Sequence, residues 1–478
     1  MSEPVRFLLN GPVETEALAP PDLTLLQWLR VERRLTGTKE GCAEGDCGAC
    51  TVVLGEADGD RLRWRPVNAC ILLMGQVHGR LVVTVEGLAE GDALHPVQAA
   101  MVARHASQCG FCTPGFVMSL FAAFKTDAEP DDSRVHDALA GNLCRCTGYR
   151  PIVDAARDAL AAPRTDAYAA MEADLAARLR AIMAAPAHER RVGHGVFRTP
   201  RSRAELAAVL RDAPGARIVA GGTDLALDVT KRHLPQSDLV WIGAIEDLRR
   251  IDLRDAEIVV GAATSYADLM PALAQLDPSV DVLLRRLGSR QIRSLGTIGG
   301  NLANASPIGD TPPLLLALGA RVTIGSADGE RELPLDEFFT GYRRTALRPG
   351  EFIDRVTIPR PGPGAFLRVD KISRRFDQDI SAVCGAIHLV HAAGRIVSAR
   401  VAFGGMAATP ARAPAAEAAL VGAPLTEETF LRAGAALAQD FAPIDDFRAS
   451  ADYRLRAAQN LFRRWFAVLQ GAEAEAAE

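Results

Sequence analysis

Beyond Cys146 this 478-residue chain has a single cysteine, Cys384, which lies in an alternating apolar run and reads as a small buried residue. Long apolar runs are missing too; none approaches the roughly 18 residues that cross a bilayer, so no membrane role is expected. The start, MSEPVRFLLNGPVE, has neither the basic opening and apolar core of a secretory signal nor a twin-arginine export label. A cytoplasmic location is the expectation. Excess charge of one sign is absent as well. The net charge is −5, from 54 basic and 59 acidic residues, which leaves no basic footprint for nucleic acid. Neither G-x-G-x-x-G nor G-x-x-x-x-G-K-[ST] occurs, so the two commonest phosphate-binding loops are excluded. HExxH and G-x-S-x-G are missing, which removes the usual metalloprotease and serine hydrolase readings. There is no repeat of 20–50 residues.

What is present is concentrated. Eight of the nine cysteines fall between residues 42 and 146, in two groups of four. The first group is Cys42-x4-Cys47-x2-Cys50 with Cys70, the spacing of a plant-type 2Fe–2S loop. Gly41, Gly45, Gly48 and Ala49 crowd it, and small residues let backbone amides reach sulfur. The second group is Cys109-x2-Cys112 with Cys144-x-Cys146, which reads as a second iron–sulfur centre. The competing reading for either is structural zinc, which also takes four thiolates. In a protein expected in the cytoplasm, clustered cysteines point to metal before disulfides.

The remainder has the 48% apolar and 24% charged content of a globular protein, with length for about three domains. Residues 5–9 alternate as a strand, and Asp22 is the expected N-cap of a helix carrying Leu25, Leu26, Leu29 and Leu35. Strand-like runs follow at 51–54, 67–73 and 81–86. From residue 95 the pattern turns helical. Helices are predicted from Pro96 to about Ser107, from Thr113-Pro114, from Asp132 or Ser133 to Gly141, and from near Thr147. The second cysteine group sits at the joints of these helices, whose N-termini would lower thiol pKa. Boundaries are expected at 1–87, 88–160, an exposed and partly helical connector at 161–192, then 193–363 and 364–478.

Two glycine-rich loops stand out, RIVAGGTDL (217–225) and SLGTIGGNLANASPIGD (294–310). Either could be an ordinary tight turn. The functional reading brings backbone amides at Gly221, Gly222, Gly299 and Gly300 to a pyrophosphate, with Thr223, Thr297 and Asn301 adding hydrogen bonds. The charge-dense KISRRFDQD (371–379) reads, taken alone, as a solvated loop.

Together these segments resemble one family, the molybdenum hydroxylases. TKEGCAEGDCGACTV, NAC, SQCGFCTPGF and GNLCRCTGYRPI are similar to its iron–sulfur half; VAGGTDL, TIGGNLANASPIGDTPP, FFTGYRRT and SRRFDQDISAV are similar to its flavin half. SRRFDQDIS and the joining of both halves point to the xanthine dehydrogenase branch, in its separately encoded bacterial small subunit. The resemblance implies a multidomain α+β fold: a β-grasp ferredoxin-like domain, a four-helix-bundle 2Fe–2S domain, an α+β FAD-binding domain and an α+β flavoprotein C-terminal domain. It implies that Cys42, Cys47, Cys50 and Cys70 ligate one cluster, and Cys109, Cys112, Cys144 and Cys146 the other. Gln108 matches a residue that reaches the pterin of the partner. Ile218, Val219, Ala220, Gly221, Gly222, Thr223, Asp224 and Leu225 match the first FAD segment; Thr297, Gly300, Asn301 and Asp310 match the second. Ile353 and Lys371 match later flavin contacts. Tyr342 and the Arg374–Asp379 loop, Asp377 included, match the side that receives NAD. Leu287 stands where relatives can place an aromatic ring.

The implied function is electron transfer during oxidation of hypoxanthine and xanthine to urate. Electrons would come from a molybdopterin-binding large subunit, in a heterotetramer of two small and two large chains. They would pass the two clusters one at a time and reach FAD, which converts single electrons into the hydride that NAD accepts. Three rivals remain at this point: the corresponding subunit of an aldehyde or N-heterocycle hydroxylase, a free-standing NADH-oxidising diaphorase, and a zinc-stabilised scaffold.

Overall fold

The computed structural model describes residues 3–126, 131–185, 188–193 and 195–471. Its backbone forms two compact units, each assembled from separate stretches of chain. The first comprises Met1–Ser202, Gly215–Ile245 and Gly288–Gly296; the second comprises Arg203–Pro214, Glu246–Leu287 and Thr297–Glu478.

The first unit opens with a five-stranded mixed sheet in the order Glu14–Ala17, Val5–Leu9, Leu81–Val83, Thr51–Asp58, Arg61–Asn68. Its longest element is a hairpin in full register from Thr51↔Asn68 to Asp58↔Arg61. The apolar pattern marked only the two ends of that hairpin, because residues 55–66 carry many charges. Leu62 and Trp64 nevertheless alternate inward, and Pro66 is tolerated because its strand is the sheet edge. The expected strand at 67–73 ends at Asn68; beyond it the chain turns, and that turn presents Cys70. The expected cap also moves, from Asp22 to Thr24. Thr24 and Gln27 form a capping box, Gln27 N donating to Thr24 Oγ1 at 3.2 Å. The Asp22 carboxylate instead accepts from Gln236 N at 3.1 Å.

The helical part has Pro96–Ala103, Thr113–Thr126, Asp132–Leu139 and Arg150–Ala161 near their predicted places. A fifth helix, Ala167–Ala184, corrects the exposed-connector expectation for 161–192. Its Tyr168, Leu175, Ala176, Leu179 and Ile182 are buried in the same core as Trp64 and Phe121. Tyr168 packs edge-on to Trp64 at 5.8 Å, and its hydroxyl donates to Gly87 O at 2.8 Å. Alanine-rich composition hid this face, since alanine serves a buried stripe and an exposed one equally well. Asp166 caps the helix and accepts from Lys125 Nζ, with His95 Nε2 3.2 Å away. A second sheet of four strands, His188–Val192, Gly195–Thr199, Asp238–Trp241 and Arg217–Val219, completes the unit. Its last two pairings are parallel, so the first glycine loop leaves at a carboxyl end, where α/β sheets hold ligands.

The second unit contains an antiparallel sheet ordered Ile251–Leu253, Glu257–Gly261, Phe352–Pro359, Arg321–Ser326, Gly329–Pro334. Helices Tyr266–Leu273, Pro278–Arg285 and Thr311–Leu318 contribute to the core around it. The expected strands near residues 366, 383 and 395 form an antiparallel meander, Phe366–Ile372, Val383–Ala392 and Arg395–Gly404. Helices Pro414–Leu420, Glu427–Asp440 and Ala451–Leu469 follow, and with the meander they bury Phe403, Phe430, Phe462 and Trp465.

Leu179→Ala measures how far the fifth helix belongs to the first core. Leu179 is fully buried, so the substitution should destabilise the first unit by about 2–5 kcal/mol, seen as a lower denaturation midpoint. An unchanged midpoint would mean the helix is peripheral.

Candidate functional site

The first cysteine group is built by a loop that only small residues can follow. Ala43, Gly45 and Gly48 all have positive φ, at 55°, 82° and 67°. This winding turns amides inward, and Glu44, Asp46 and Cys47 N–H groups donate to Cys42 Sγ at 3.4, 3.3 and 3.3 Å. Cys50 and Cys70 are buried with sulfurs 3.3 Å apart, and Asn68 Nδ2 stands 3.8 Å from Cys50 Sγ. Hydrogen bonds from Cys47, Cys70 and the loop amides hold the Cys42 thiol far below its ordinary range. Cys47 is pushed up by its bond to Cys42, and Cys70 by its bonds to Cys42 and Cys50. Four sulfurs so crowded compete for negative charge, a conflict that a bound iron centre removes.

The second group is more open. Cys109 and Cys112 precede the helix Thr113–Thr126, while Cys144 and Cys146 lie between Asp132–Leu139 and Arg150–Ala161. Cys146 Sγ is 3.7 Å from Cys109 Sγ and 4.0 Å from Cys144 Sγ. Burial pushes the Cys112 thiol up to about 12. Cys144 falls to about 7 against its own burial, because the Thr147 hydroxyl, 3.0 Å away, and nearby amides stabilise the thiolate. Gln108, Cys109 and Cys146 are exposed, as are Phe111, Leu143 and Tyr149. Among the described residues no three His, Cys, Asp or Glu side chains converge tightly enough to hold a single metal ion.

In the first unit the segment Ile218–Leu225 runs from strand to turn to helix. Gly222 has φ +80°, and the nearest atoms to where its Cβ would be are those of the Gln76 amide and a Val219 methyl group, at 3.2–3.7 Å. The amides of Gly222 and Thr223 meet no acceptor among the described residues, so they can meet phosphate oxygens. Gly221 is needed for a different reason: a Cβ there would lie 1.9 Å from Leu295 O. Gln76, which the sequence did not single out, holds the turn through Nε2 bonds to Ala220 O and Gly221 O, both 3.3 Å.

The second glycine segment, in the second unit, is arranged otherwise. Gly299 N donates to Ala262 O and Gly300 N donates to Thr297 Oγ1, both at 3.0 Å. These amides are therefore engaged within the unit, and what remains for a ligand there is side chains. Asn301 Oδ1 accepts from Thr311 Oγ1 at 3.1 Å. Asp310 and Lys371, far apart in sequence, form a buried ion pair at 2.6 Å; Ser381 Oγ donates to Asp310 at 2.5 Å, and Lys371 Nζ to Arg286 O at 3.0 Å. Arg286, also missed by the sequence reading, grips the SRRFDQD segment. It donates to Lys371 O, Ser373 Oγ and Phe376 O at 2.9, 2.9 and 3.0 Å and lies over the Phe376 ring at 4.6 Å. No local motif marks it, because its partners are some 85–90 residues away. Ile353 and Leu287 are buried in apolar core, and Tyr342 is exposed.

A chain that carries two four-thiolate loops and a phosphate-ready turn is an iron–sulfur flavoprotein. Family comparisons agree along most of its length. Residues 9–74 match the 2Fe-2S iron-sulfur cluster binding domain and 84–157 the [2Fe-2S] binding domain. Residues 192–361 match the FAD binding domain in molybdopterin dehydrogenase, and 368–469 the CO dehydrogenase flavoprotein C-terminal domain. Xanthine dehydrogenase of Emericella nidulans is 34% identical over 91% of this chain and 36% of that protein; the Drosophila pseudoobscura enzyme is 32% identical over 88% and 36%. The chain thus spans about a third of the length of the curated relatives it matches. Among solved structures, quinoline 2-oxidoreductase from Pseudomonas putida 86 is 31% identical with a TM-score of 0.54, covering 59% of this chain and 99% of that one. Carbon monoxide dehydrogenase from Hydrogenophaga pseudoflava is 29% identical with a TM-score of 0.54, covering 57% and 96%. The chain belongs to the molybdenum hydroxylases, as an oxidoreductase component with two 2Fe–2S domains and an FAD-binding domain.

Cys47→Ser should remove one of two paramagnetic signals from the reduced protein and leave the other, read by EPR beside iron analysis. Loss of both from a folded chain would contradict the grouping. Gly222→Val should lower the flavin content of the purified protein, because a branched residue is strained at φ +80° and fills the turn, while iron content stays unchanged. Full flavin occupancy in that variant would mean the pyrophosphate lies elsewhere.

Proposed function

We propose that this chain is the electron-transfer subunit of a xanthine dehydrogenase. It would take electrons from a molybdopterin-binding large subunit and deliver them to NAD, in a cytoplasmic heterotetramer of two small and two large chains. The observation that carries this reading is 34% identity to a xanthine dehydrogenase over 91% of the chain. Bound FAD would supply the conversion between single electrons and a hydride.

The chain's own residues have distinct tasks in this scheme. Cys109, Cys112, Cys144 and Cys146, on an exposed apolar face with Gln108, would receive electrons from the partner's pterin. Cys42, Cys47, Cys50 and Cys70 would pass them onward. The Ile218–Leu225 turn would hold the pyrophosphate through its free amides. Thr297, Gly300, Asn301, Asp310, Ile353 and Lys371 are assigned to FAD, with the Lys371–Asp310 pair holding a fixed charge arrangement. Tyr342, Asp377 and the loop held by Arg286 would form the NAD side.

A second reading has its own support. The two solved structures, matched over 96% and 99% of their own chains, act, by their names, on carbon monoxide and quinoline, so another small oxidisable substrate fits the same electron path. Purification from the native host with identification of the companion chain, followed by assay with xanthine and with N-heterocycles, separates the two.

The acceptor assignment has its own measurement. In the assembled enzyme, Tyr342→Ala and Asp377→Arg should slow NAD reduction several-fold more than reduction of a dye that draws electrons from the iron–sulfur centres. Equal loss of both activities would remove the acceptor role from these residues.

A further inference from the structure

Side chains from three helices of the second unit meet in a line. Tyr266 opens Tyr266–Leu273, Thr311 opens Thr311–Leu318, and Asn301 is the fourth residue of Ile298–Asn304. Backbone pairing brings the Tyr266 and Asn301 helices together. Ser265 bridges Thr297, Ile298 N donates to Thr264 O at 3.2 Å, and Gly299 N donates to Ala262 O at 3.0 Å. Glycine permits this approach, since a Cβ at Gly299 would lie 2.5 Å from the Ala262 Cβ. Thr311 is placed by its neighbour Asp310, whose carboxylate Lys371 and the Ser381 hydroxyl hold. The Tyr266 hydroxyl thereby comes 2.7 Å from Thr311 Oγ1, which donates to Asn301 Oδ1 at 3.1 Å.

The direction of this line is set at its buried end. Tyr266 is 2% and Thr311 1% exposed, and among the described residues Thr311 Oγ1 is the only hydrogen-bond partner of the Tyr266 hydroxyl. Burial pushes the phenol pKa up, so it keeps its proton. That proton has one acceptor within reach, and stranding it in the core is costly, so Tyr266 donates and Thr311 accepts. The Thr311 proton then goes to Asn301, which must turn Oδ1 inward to receive it. A reversed amide would face Thr311 with a donor and leave one of the two hydroxyl protons without a partner. Asn301 Nδ2 is the end left over; it donates to nothing among the described residues and is not sealed from solvent. Phenylalanine at 266 and valine at 311 would fill the same space with no polar atom to satisfy, so packing alone does not call for this pair.

We propose that Tyr266 is a positioning residue for the flavin site: through Thr311 it fixes the Asn301 amide with Nδ2 as the group offered to FAD. The inference rests on the assignment of Asn301 to FAD made above. The phosphates and ring carbonyls of that cofactor are hydrogen-bond acceptors, which pair with a donor and are repelled by a second acceptor. Backbone amides of the second glycine segment are engaged within the unit, so an oriented side chain supplies what the backbone there does not. Tyr266 acts from the core without reaching the ligand itself.

FAD titration of the full chain, stripped of flavin, tests this. Asn301→Asp should weaken FAD binding by about tenfold or more, since an acceptor then faces an acceptor. Tyr266→Phe removes one oxygen and lets both amide orientations form. Equal populations halve the competent fraction, so the dissociation constant should rise by about twofold or more. Thr311→Ser, which keeps the hydroxyl, should bind like the parent, and Thr311→Val should lose as much as Tyr266→Phe. A double-mutant cycle separates positioning from simple stabilisation. In an Asn301→Ala background Tyr266→Phe should bring no further loss, whereas a merely structural hydroxyl would bring the same loss in both backgrounds. Parent-like binding by Tyr266→Phe, or an equal loss in both backgrounds, overturns the proposal. A lowered denaturation midpoint identifies a misfolded variant; if Tyr266→Phe is one, Thr311→Ser against Thr311→Val decides instead, and equal binding by those two overturns the proposal. Parent-like binding by both Asn301→Ala and Asn301→Asp defeats the assignment of Asn301 to FAD, a result distinct from the others.

Discussion

The joint between the two cysteine loops of the first unit is made at glycines. Gly48, Gly115 and Gly141 approach so closely that a single methyl group on any of them would overlap a carbonyl or amide oxygen. Peptide groups can pack this way only if their polar atoms are satisfied, and here a small set of buried side chains does so. The position of each cysteine loop relative to the other follows from that joint. Loosening it would expose polar backbone to apolar surroundings at a cost of about 1–3 kcal/mol per unpaired group. The joint is therefore stiff, and stiffness suits a step in which electrons move and atoms do not.

Electrostatics sets a second constraint. The first loop concentrates four sulfurs and several inward-turned amides, donors that would offset the negative charge of thiolates holding an iron centre. In the second unit the corresponding difficulty is the buried Lys371–Asp310 pair, whose side chains are 1% and 11% exposed. Removing one partner of such a pair costs about 3–5 kcal/mol, because the other charge is left in low dielectric. The Ser381 hydroxyl and the Arg286 carbonyl supply the remaining hydrogen bonds.

Different parts of the molecule handle exposure differently. The first cysteine group is half to fully covered, and the second carries two exposed cysteines beside exposed Phe111, Leu143 and Tyr149. Exposed aromatic and aliphatic side chains around a redox centre mark a face suited to a partner. The Arg374–Asp379 loop is open too, but it is anchored: Arg374 donates to Arg448 O and Phe447 O at 3.1 and 2.7 Å, and Arg286 grips its other side. It is held by more backbone contacts than its charge density suggests.

Sequence alone determined the parts whose chemistry is local. Cysteine spacing marked both groups of four cysteines, since a turn with fixed residue offsets needs little else, and periodicity located four helices and the C-terminal meander. The first glycine turn was equally legible, because its strand, glycines and helix are consecutive. Tertiary structure decided what depends on distant partners. It moved the cap from Asp22 to Thr24, where a reciprocal bond to Gln27 was available. Alanines of Ala167–Ala184, neutral in any pattern, became core once Trp64 and Phe121 were brought beside them. The second glycine loop, similar in sequence to the first, had its amides taken by Ala262 and Thr297. Gln76, Arg286 and Gln291 carried no signal at all. A polar side chain's role is set by what the fold puts within about 3 Å of it; the side-chain partners of Arg286 and Gln291 lie at least 85 residues away along the chain, and Gln76 reaches, besides nearby Leu73, two carbonyls 144 and 145 residues away.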